Sequence, residues 1–150
     1  MVAQAPGAVV EALSELRDIV RGIHPPALDA GLSTAIETLA ARSAVPVVVH
    51  VDLPQRPPPE TESALYFSAA ELLTNVAKHA AASRIRLDLR TLGGMLRVTV
   101  TDDGGGGARP GGEGTGLAGL IRRAESLDGA LWVDSPSGGP TTITVELPCE

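Results

Sequence analysis

Apolar side chains recur at helical spacing in four stretches of the chain. Residues 9–23 place five of them on one side of a helix, namely Val9, Leu13, Leu16, Val20 and Ile23. Three further helices are predicted over residues 33–43, with Ser33 as the N-cap, over residues 60–80 and over residues 116–127. The spacing therefore predicts a layer of helices, each of which packs through one apolar side.

Alternating and β-branched runs predict five strands. They cover residues 45–53, 84–90, 95–102, 130–135 and 141–147. The second and third strands are joined across Gly93-Gly94, which is a good signal for a hairpin. Because strand neighbours in the second half of the chain are too close for crossover helices, the sheet should be mixed and mostly antiparallel. The predicted fold class is α+β, a two-layer sandwich with helices on one face of the sheet.

The composition fits one globular domain. Of the 150 residues, 43% are hydrophobic but only 2% are aromatic, so Val, Leu, Ile and Ala must form the core. The formal net charge is −6 and the longest basic cluster is Arg122-Arg123, which argues against a nucleic-acid partner. The single cysteine, Cys149, excludes an internal disulfide and a cysteine metal site. With no secretory signal and no apolar run near about 18 residues, we expect a soluble, cytoplasmic chain.

Residues 71–80, ELLTNVAKHA, place four different polar side chains on one stripe of the third predicted helix: Glu71, Asn75, Lys78 and His79. A solvated face is the ordinary explanation of such a stripe. A ligand site is the alternative, because an amide oxygen can hold Mg²⁺ and a lysine can balance the charge of a phosphate. The decad alone leaves both interpretations open.

Three later stretches carry further candidate chemistry. In DDGGG, residues 102–106, a buried carboxylate could accept a hydrogen bond from the exocyclic amine of adenine, or the stretch could be an ordinary turn. In GTGLAGL, residues 114–120, a helix N-terminus suits phosphate, although the pattern is neither a Walker loop nor a Rossmann fingerprint. Thr141, in GGPTT, could bond a base or a water, or simply begin a strand. Each stretch is weak evidence when taken singly.

Taken in their order along the chain, ELLTNVAKHA, DDGGG, GTGLAGL and GGPTT resemble the N, G1, G2 and terminal threonine boxes of the histidine-kinase ATP-binding domain. That domain has the Bergerat (GHKL) fold, which is shared with gyrase, Hsp90 and MutL. Residues 16–47 and 116–139 more narrowly resemble segments of NarL/DesK-type sensor kinases. The resemblance covers nearly the whole chain, and it favours a nucleotide site over a solvated face for the polar stripe.

The resemblance implies a role for each candidate residue. Asn75 would hold Mg²⁺ on the phosphates of ATP, and Lys78 and His79 would lie near those phosphates. Glu71 would be a base or an orienting carboxylate, and Asp102 would take the amino group of adenine. The nucleotide would also be lined by Gly104, Gly106 and Thr141 at the base and by Gly114, Gly116 and Leu117 at the phosphates.

The sequence departs from the family pattern in three places. Pro140 stands where a third glycine is usual, and the predicted ATP lid, residues 104–113, is so rich in glycine that it should be mobile. The phosphoacceptor histidine is missing, since His24 lies in RGIHPPAL, which resembles the hinge after a dimerisation helix. Residues 1–26 are therefore predicted to be the remnant of a dimerisation helix and its hinge, and residues 27–150 the ATP-binding catalytic domain.

By this resemblance the chain would be the catalytic fragment of a histidine kinase in a two-component system. It would bind ATP and Mg²⁺ and transfer the γ-phosphoryl to a histidine on a dimerisation domain absent from this chain, with a response regulator downstream. We expect a monomer that does not autophosphorylate alone, whether or not a parent kinase is membrane-anchored. The alternatives are an anti-sigma factor serine kinase of the same fold and a non-catalytic nucleotide-binding scaffold.

Overall fold

The computed structural model describes residues 25–106 and 116–149, without the side chains of residues 79 and 80. Within these residues the chain forms three α-helices and five strands: α1 (Leu32–Arg42), β1 (Val47–Asp52), α2 (Pro59–Asn75), β2 (Ile85–Leu92), β3 (Met95–Asp102), α3 (Leu117–Ser126), β4 (Ala130–Asp134) and β5 (Thr141–Pro148). None of the three helices combines the length and the apolar character that crossing a bilayer would require.

Several predicted features lie outside the described residues. They are the first helix (residues 9–23), His24, Gly114 and most of the predicted lid. The described chain begins with a 3₁₀ turn, Pro26–Leu28, which precedes α1.

The five strands form one mixed sheet in the order β1-β2-β3-β5-β4. β1 and β2 are parallel, with α2 as the crossover between them, and the other neighbours are antiparallel. The β2–β3 hairpin turns at Gly93 and Gly94, whose φ angles of +54° and +79° glycine adopts readily. The predicted α+β class and the mixed, mostly antiparallel sheet are thus confirmed.

Alternate strand positions face the helices and form the core. The buried strand positions are Ile85, Leu87, Leu89, Leu96, Val98, Val100, Ile143, Val145 and Leu147. They pack in one cluster with helix residues such as Leu65, Leu72 and Leu120. The strand positions between them are exposed or half-buried, so the helices cover one face of the sheet. The core is aliphatic, as the low aromatic content predicts.

An ion pair between the exposed Arg56 and the buried Glu62 fixes the start of the described chain on α2. Glu62 is 0% exposed, and Arg56 reaches its two carboxylate oxygens through Nε at 3.2 Å and Nη2 at 3.1 Å. Nη2 of Arg56 also donates to the carbonyl oxygen of Leu28 at 2.7 Å. A buried carboxylate needs such a partner, so the pair ties the 3₁₀ turn to the helix. Neither residue stands out in the sequence.

The predicted N-cap Ser33 is wrong. α1 begins at Leu32, its N-cap is Gly31, and no side chain caps it. The cause is the preceding turn, in which the Gly31 amide donates to the Leu28 carbonyl at 2.9 Å and Gly31 takes a φ of +98°. This conformation suits glycine, so the helix starts directly after it and Ser33 lies inside the first turn.

The predicted helix over residues 60–80 is divided into two segments. The α-helix ends at Asn75, and a π-turn, Val76–Ala80, continues it to Ala81, where φ is +50°. The π-turn is wider than an α-turn, so it changes the angular spacing of the side chains that follow Asn75. Of the polar stripe, Glu71 and Asn75 therefore keep α-helical spacing, whereas Lys78 lies on the π-turn.

Candidate functional site

Asp102 is a buried carboxylate at the end of β3. It is 4% exposed, and its neighbours across the sheet are Ile85 on β2 and Thr141 on β5. The Gly104 amide donates to Asp102 Oδ1 at 2.8 Å. Burial raises the pKa of Asp102, the Gly104 hydrogen bond opposes that rise, and the nearby charge of Asp103 adds to it. A buried carboxylate in this position can accept a hydrogen bond from a ligand amine.

Asp103, the next residue, faces the other way. It is exposed, and it accepts hydrogen bonds from the Ser83 amide at 2.8 Å, the Ser83 hydroxyl at 2.5 Å and the Arg84 amide at 3.0 Å. These bonds lower the pKa of Asp103, with the Ser83 hydroxyl as the largest cause. Asp103 therefore ties the end of β3 to the start of β2. The alternation of β3 is the signal that separates the two aspartates, since it puts Asp102 on the core face.

The glycine loop after Asp102 packs against the β4–β5 turn without side chains between them. The Gly138 amide donates to the Gly105 carbonyl at 2.9 Å. A Cβ atom on Gly106 would lie 1.9 Å from the Pro136 carbonyl oxygen, and one on Gly139 would lie 2.0 Å from the Gly104 carbonyl oxygen. The two backbones can approach this closely only because these positions are glycine.

Thr141 completes this end of the site. It is 6% exposed, and its Oγ1 lies 2.6 Å from the Oγ of Ser135, so the two hydroxyls share a hydrogen bond. Because Asp102 and Thr141 are direct partners across β3 and β5, their side chains lie on the same face of the sheet. The structure thus brings together the predicted residues Asp102, Gly104, Gly106 and Thr141, and adds Ser135, which the sequence does not single out.

The other predicted residues lie along α2, on the π-turn that follows it and at the start of α3. Glu71 and Lys78 are exposed and Asn75 is half-buried. Glu71 meets the start of α3, because a Cβ atom on Gly116 would lie 2.7 Å from Glu71 Oε1. Gly116 has a φ of +71° and is the N-cap of α3, with no side-chain cap on the helix. The side chain of His79 and all of Gly114 lie outside the part of the chain that the structure describes.

Leu117 holds the start of α3 in the core. It is 2% exposed and belongs to the main hydrophobic cluster. Its packing places the N-terminus of α3 beside Glu71, and the N-terminus is the end of a helix whose dipole is suited to an anion.

A metal ion here would need ligands beyond the described side chains. Among these residues, no group of three or more His, Cys, Asp or Glu could hold a metal. Asn75 offers an amide oxygen, and Mg²⁺ accepts a site in which one or two protein oxygens are joined by phosphate oxygens and water. The side chains therefore fit a metal that arrives with a phosphate ligand.

Two surface grooves lie between the helices and are lined mostly by other side chains. One, of about 300 Å³, lies between α2 and α3 and is lined by Phe67, Arg123 and Leu127 among others. The second, of about 270 Å³, lies between α1 and α2 and reaches Lys78. Neither is lined by Asp102 or Thr141.

The chain is similar to a known ATPase family and to individual sensor histidine kinases. The family "Histidine kinase-, DNA gyrase B-, and HSP90-like ATPase" matches residues 60–150, the stretch that holds every predicted site residue. The sensor histidine kinase MctS of Rhizobium johnstonii is 31% identical over 91% of this chain and 32% of its own length. DesK of Bacillus subtilis is 30% identical over 91% of this chain and 37% of its own length. The chain thus spans about a third of the length of these relatives.

Solved structures give the same result for the fold. The Erythrobacter litoralis EL346 blue-light activated histidine kinase has a TM-score of 0.61 and 29% identity, over 79% of this chain and 39% of that one. The Acinetobacter baumannii histidine kinase AdeS, at 16% identity, matches in fold with a TM-score of 0.62 over 99% of this chain and 80% of that one. The resemblance to the histidine-kinase ATP-binding domain that the sequence predicts, including its DesK-type character, is confirmed by these matches.

Proposed function

The chain belongs to the histidine kinase-, DNA gyrase B- and HSP90-like ATPase family, and from that premise we propose that it binds ATP with Mg²⁺ as the catalytic domain of a sensor histidine kinase. The observation that carries this proposal is the pairing of the buried Asp102 carboxylate with the buried Thr141 hydroxyl on one face of the sheet. A hydrogen-bond acceptor beside a hydroxyl, under a backbone loop without side chains, is suited to a flat base.

Asp102 accepts the hydrogen bond of the exocyclic amine of adenine in this proposal. Its burial removes competing water, which makes the ionised carboxylate costly and a further hydrogen bond from a ligand amine correspondingly favourable. Gly104 and Gly106 allow the base to lie close to the backbone, and Thr141 contacts the base directly or through a water.

The phosphates lie towards α2 and α3. Asn75 would hold Mg²⁺, which supplies charge neutralisation of the phosphate oxygens when it is bound. In this proposal Lys78 and His79 lie near the phosphates, Glu71 is a base or an orienting carboxylate, and Gly114 and Gly116 shape the phosphate end, beside the N-terminus of α3. Positioning and charge are the main needs of phosphoryl transfer, so this set of residues suits that reaction.

The phosphoryl acceptor is a histidine on a separate dimerisation domain, and a response regulator takes the phosphoryl group from it. In this proposal residues 1–26 belong to the dimerisation region and its hinge, residues 27–150 to the catalytic domain, and residues 104–113 to the ATP lid. The chain alone is a cytoplasmic monomer that does not autophosphorylate. The names of its relatives, which are sensor histidine kinases, support this role.

Thermal unfolding with ATP and with GTP, each with Mg²⁺, tests the proposal. ATP at 100 times its dissociation constant should add about 2.7 kcal/mol to the free energy of unfolding, which raises the melting temperature of a domain of this size by several degrees. GTP at the same concentration should give a much smaller rise, because its six-position oxygen would face the Asp102 carboxylate. Equal shifts, or no shift with ATP, would overturn the assignment of an adenine site.

A further inference from the structure

Ser135 lies at the edge of the proposed base pocket and is not among the proposed nucleotide-binding residues. It follows β4 directly, and Thr141 begins β5 after the intervening turn. The 2.6 Å separation of their hydroxyl oxygens is that of a good O–H···O hydrogen bond, in which either hydroxyl can be the donor. Thr141 in turn pairs with Asp102 across the sheet. Ser135 therefore reaches the pocket through Thr141.

We propose that Ser135 is a positioning residue that sets the purine preference of the site, by donating a hydrogen bond to Thr141 Oγ1. A hydroxyl has one hydrogen and can also accept, so an isolated threonine could present either to a ligand. Donation from Ser135 occupies an acceptor position of Thr141 and leaves the Thr141 hydrogen to point at the base. The inference rests on the proposed adenine site, with Thr141 in direct contact with the base, and adds the direction of one hydroxyl to it.

The direction matters because adenine and hypoxanthine present opposite patterns. Adenine offers a donor, its exocyclic amine, beside an acceptor, its ring nitrogen N1. Hypoxanthine, the base of inosine, offers an acceptor oxygen beside an N1 hydrogen. Asp102 as an acceptor and Thr141 as a donor match adenine and oppose hypoxanthine. If Thr141 could turn its hydroxyl round, half of this discrimination would be lost.

The turn that joins the two hydroxyls is held at both ends. The Gly139 amide donates to the Pro136 carbonyl at 2.9 Å, and the Gly138 amide donates to the Gly105 carbonyl at 2.9 Å. These bonds fix the turn on itself and on the loop after Asp102. Because these bonds hold the backbone of the turn, the backbone itself keeps the hydroxyls of Ser135 and Thr141 close to each other.

Calorimetric titration of the whole chain with ADP and with IDP tests the inference. Ser135→Ala is expected to weaken ADP binding about three- to tenfold and to leave IDP binding unchanged or stronger, so that the ratio of the two dissociation constants falls. Ser135→Thr, which keeps the hydroxyl, should retain the wild-type ratio. In a Thr141→Val background, Ser135→Ala should have no further effect on ADP binding, because Ser135 acts through the Thr141 hydroxyl.

Ser137→Ala is the matched control, since Ser137 is an exposed serine of the same turn, and it should leave both affinities at the wild-type values. If Ser135→Ala does not fold, Ser135→Cys, which has nearly the same size and a weak donor, replaces it with the same expected result. An unchanged ADP to IDP ratio in the Ser135 variant would overturn the inference and leave the adenine site standing. Failure of the wild-type chain to bind ADP would instead overturn the proposed function itself.

Discussion

The two ends of the proposed nucleotide site are built differently. The base end consists of residues 102–106 and 135–141, and bonds among its own residues hold it together, such as the Gly138 amide to the Gly105 carbonyl. The phosphate end consists of residues 71–79 and the start of α3, where the side chains of Glu71 and Lys78 are exposed. We infer that the base end is formed before the ligand arrives, whereas nucleotide and metal complete the phosphate end.

The difference has an electrostatic reason. Burial at the base end raises the pKa of Asp102 even though the Gly104 amide donates to it, so the ionised carboxylate is unfavourable there and a further donor from a ligand would stabilise it. A bound adenine amine supplies that donor. The exposed charges of the phosphate end remain hydrated and carry no such penalty, and they gain most of their interaction only when phosphate and Mg²⁺ bring opposite charge. Specificity is therefore expected from the base end and metal dependence from the phosphate end.

The largest effect is expected from a substitution that disrupts the base end. In Gly106→Ala the new Cβ would lie 1.9 Å from the Pro136 carbonyl oxygen at a φ of +70°. The backbone must shift, and we expect a loss of about 3 kcal/mol in the free energy of unfolding, together with the loss of ADP binding. Urea unfolding and calorimetric titration measure these two effects.

Two other glycines provide controls for Gly106→Ala. Gly138 has a φ of +91° but nothing within 4 Å of its added Cβ, so Gly138→Ala should cost only about 1 kcal/mol of backbone strain. Gly105 has open space and no positive φ, so Gly105→Ala should be nearly neutral. If all three variants lost the same free energy, close packing of the loop against the turn would not be what holds the base end.

A smaller effect is expected at the phosphate end. Asn75→Ala should weaken ATP binding about tenfold in Mg²⁺, about 1.4 kcal/mol, and leave the weaker binding in EDTA unchanged. The matched control is Thr74→Ala, because Thr74 is an exposed neighbour whose hydroxyl bonds within its own helix, to the Ala70 carbonyl at 2.9 Å. A variant of Asn75 that keeps the full difference between Mg²⁺ and EDTA would remove Asn75 from the metal site.

The smallest expected effect contrasts the adjacent carboxylates by pH. Asp102 has a raised pKa in the folded state, so its ionisation penalises folding at neutral pH, and the penalty disappears as pH falls to its usual value of 3.8. Asp103 has a lowered pKa, so it stabilises the fold above its usual value of 3.8, and that contribution is lost as pH falls through the folded-state pKa. At neutral pH without ligand, Asp102→Asn should therefore raise stability and Asp103→Asn should lower it.

Urea unfolding of both variants between about pH 3 and about pH 7 measures this contrast. Both differences from the wild-type chain should shrink towards the acid end of that range. Stability changes of the same sign at neutral pH would mean that the two carboxylates do not have the opposite environments described here.

The arrangement of helices and strands follows from the sequence because it depends on local patterns. The alternation of Ile85, Leu87 and Leu89 fixes a strand and its buried face, and Gly93-Gly94 fixes a hairpin. The start of α1 does not follow in this way, because Ser33 has cap chemistry but the preceding turn requires a positive φ at Gly31. The conformation of the turn at Gly31 therefore overrides the capping preference of Ser33 and sets the start of α1.

The site shows the same division. Asp102 and Thr141 can be named from their motifs, but their pairing across β3 and β5 comes from the structure, since the sequence does not specify that these two strands are neighbours in the sheet. Ser135 and the Arg56–Glu62 pair could not be named, because their contacts join residues across a turn or a proline-rich loop whose path the sequence does not specify. The different environments of Asp102 and Asp103 could have been predicted from the alternation of β3, because alternation assigns opposite faces of the sheet to neighbouring residues.

Calorimetric titration of ADP into Asp102→Asn and Asp103→Asn is the most direct test of a base pocket built around Asp102. The two substitutions are chemically identical and one residue apart. They therefore separate the role of the buried Asp102 from that of the exposed Asp103, which binds Ser83 and Arg84. We expect a loss of affinity of at least about tenfold in Asp102→Asn, since an amide nitrogen or a weaker acceptor would face the adenine amine, and wild-type affinity in Asp103→Asn. Wild-type affinity in Asp102→Asn, or an equal loss in both variants, would contradict a base pocket built around Asp102.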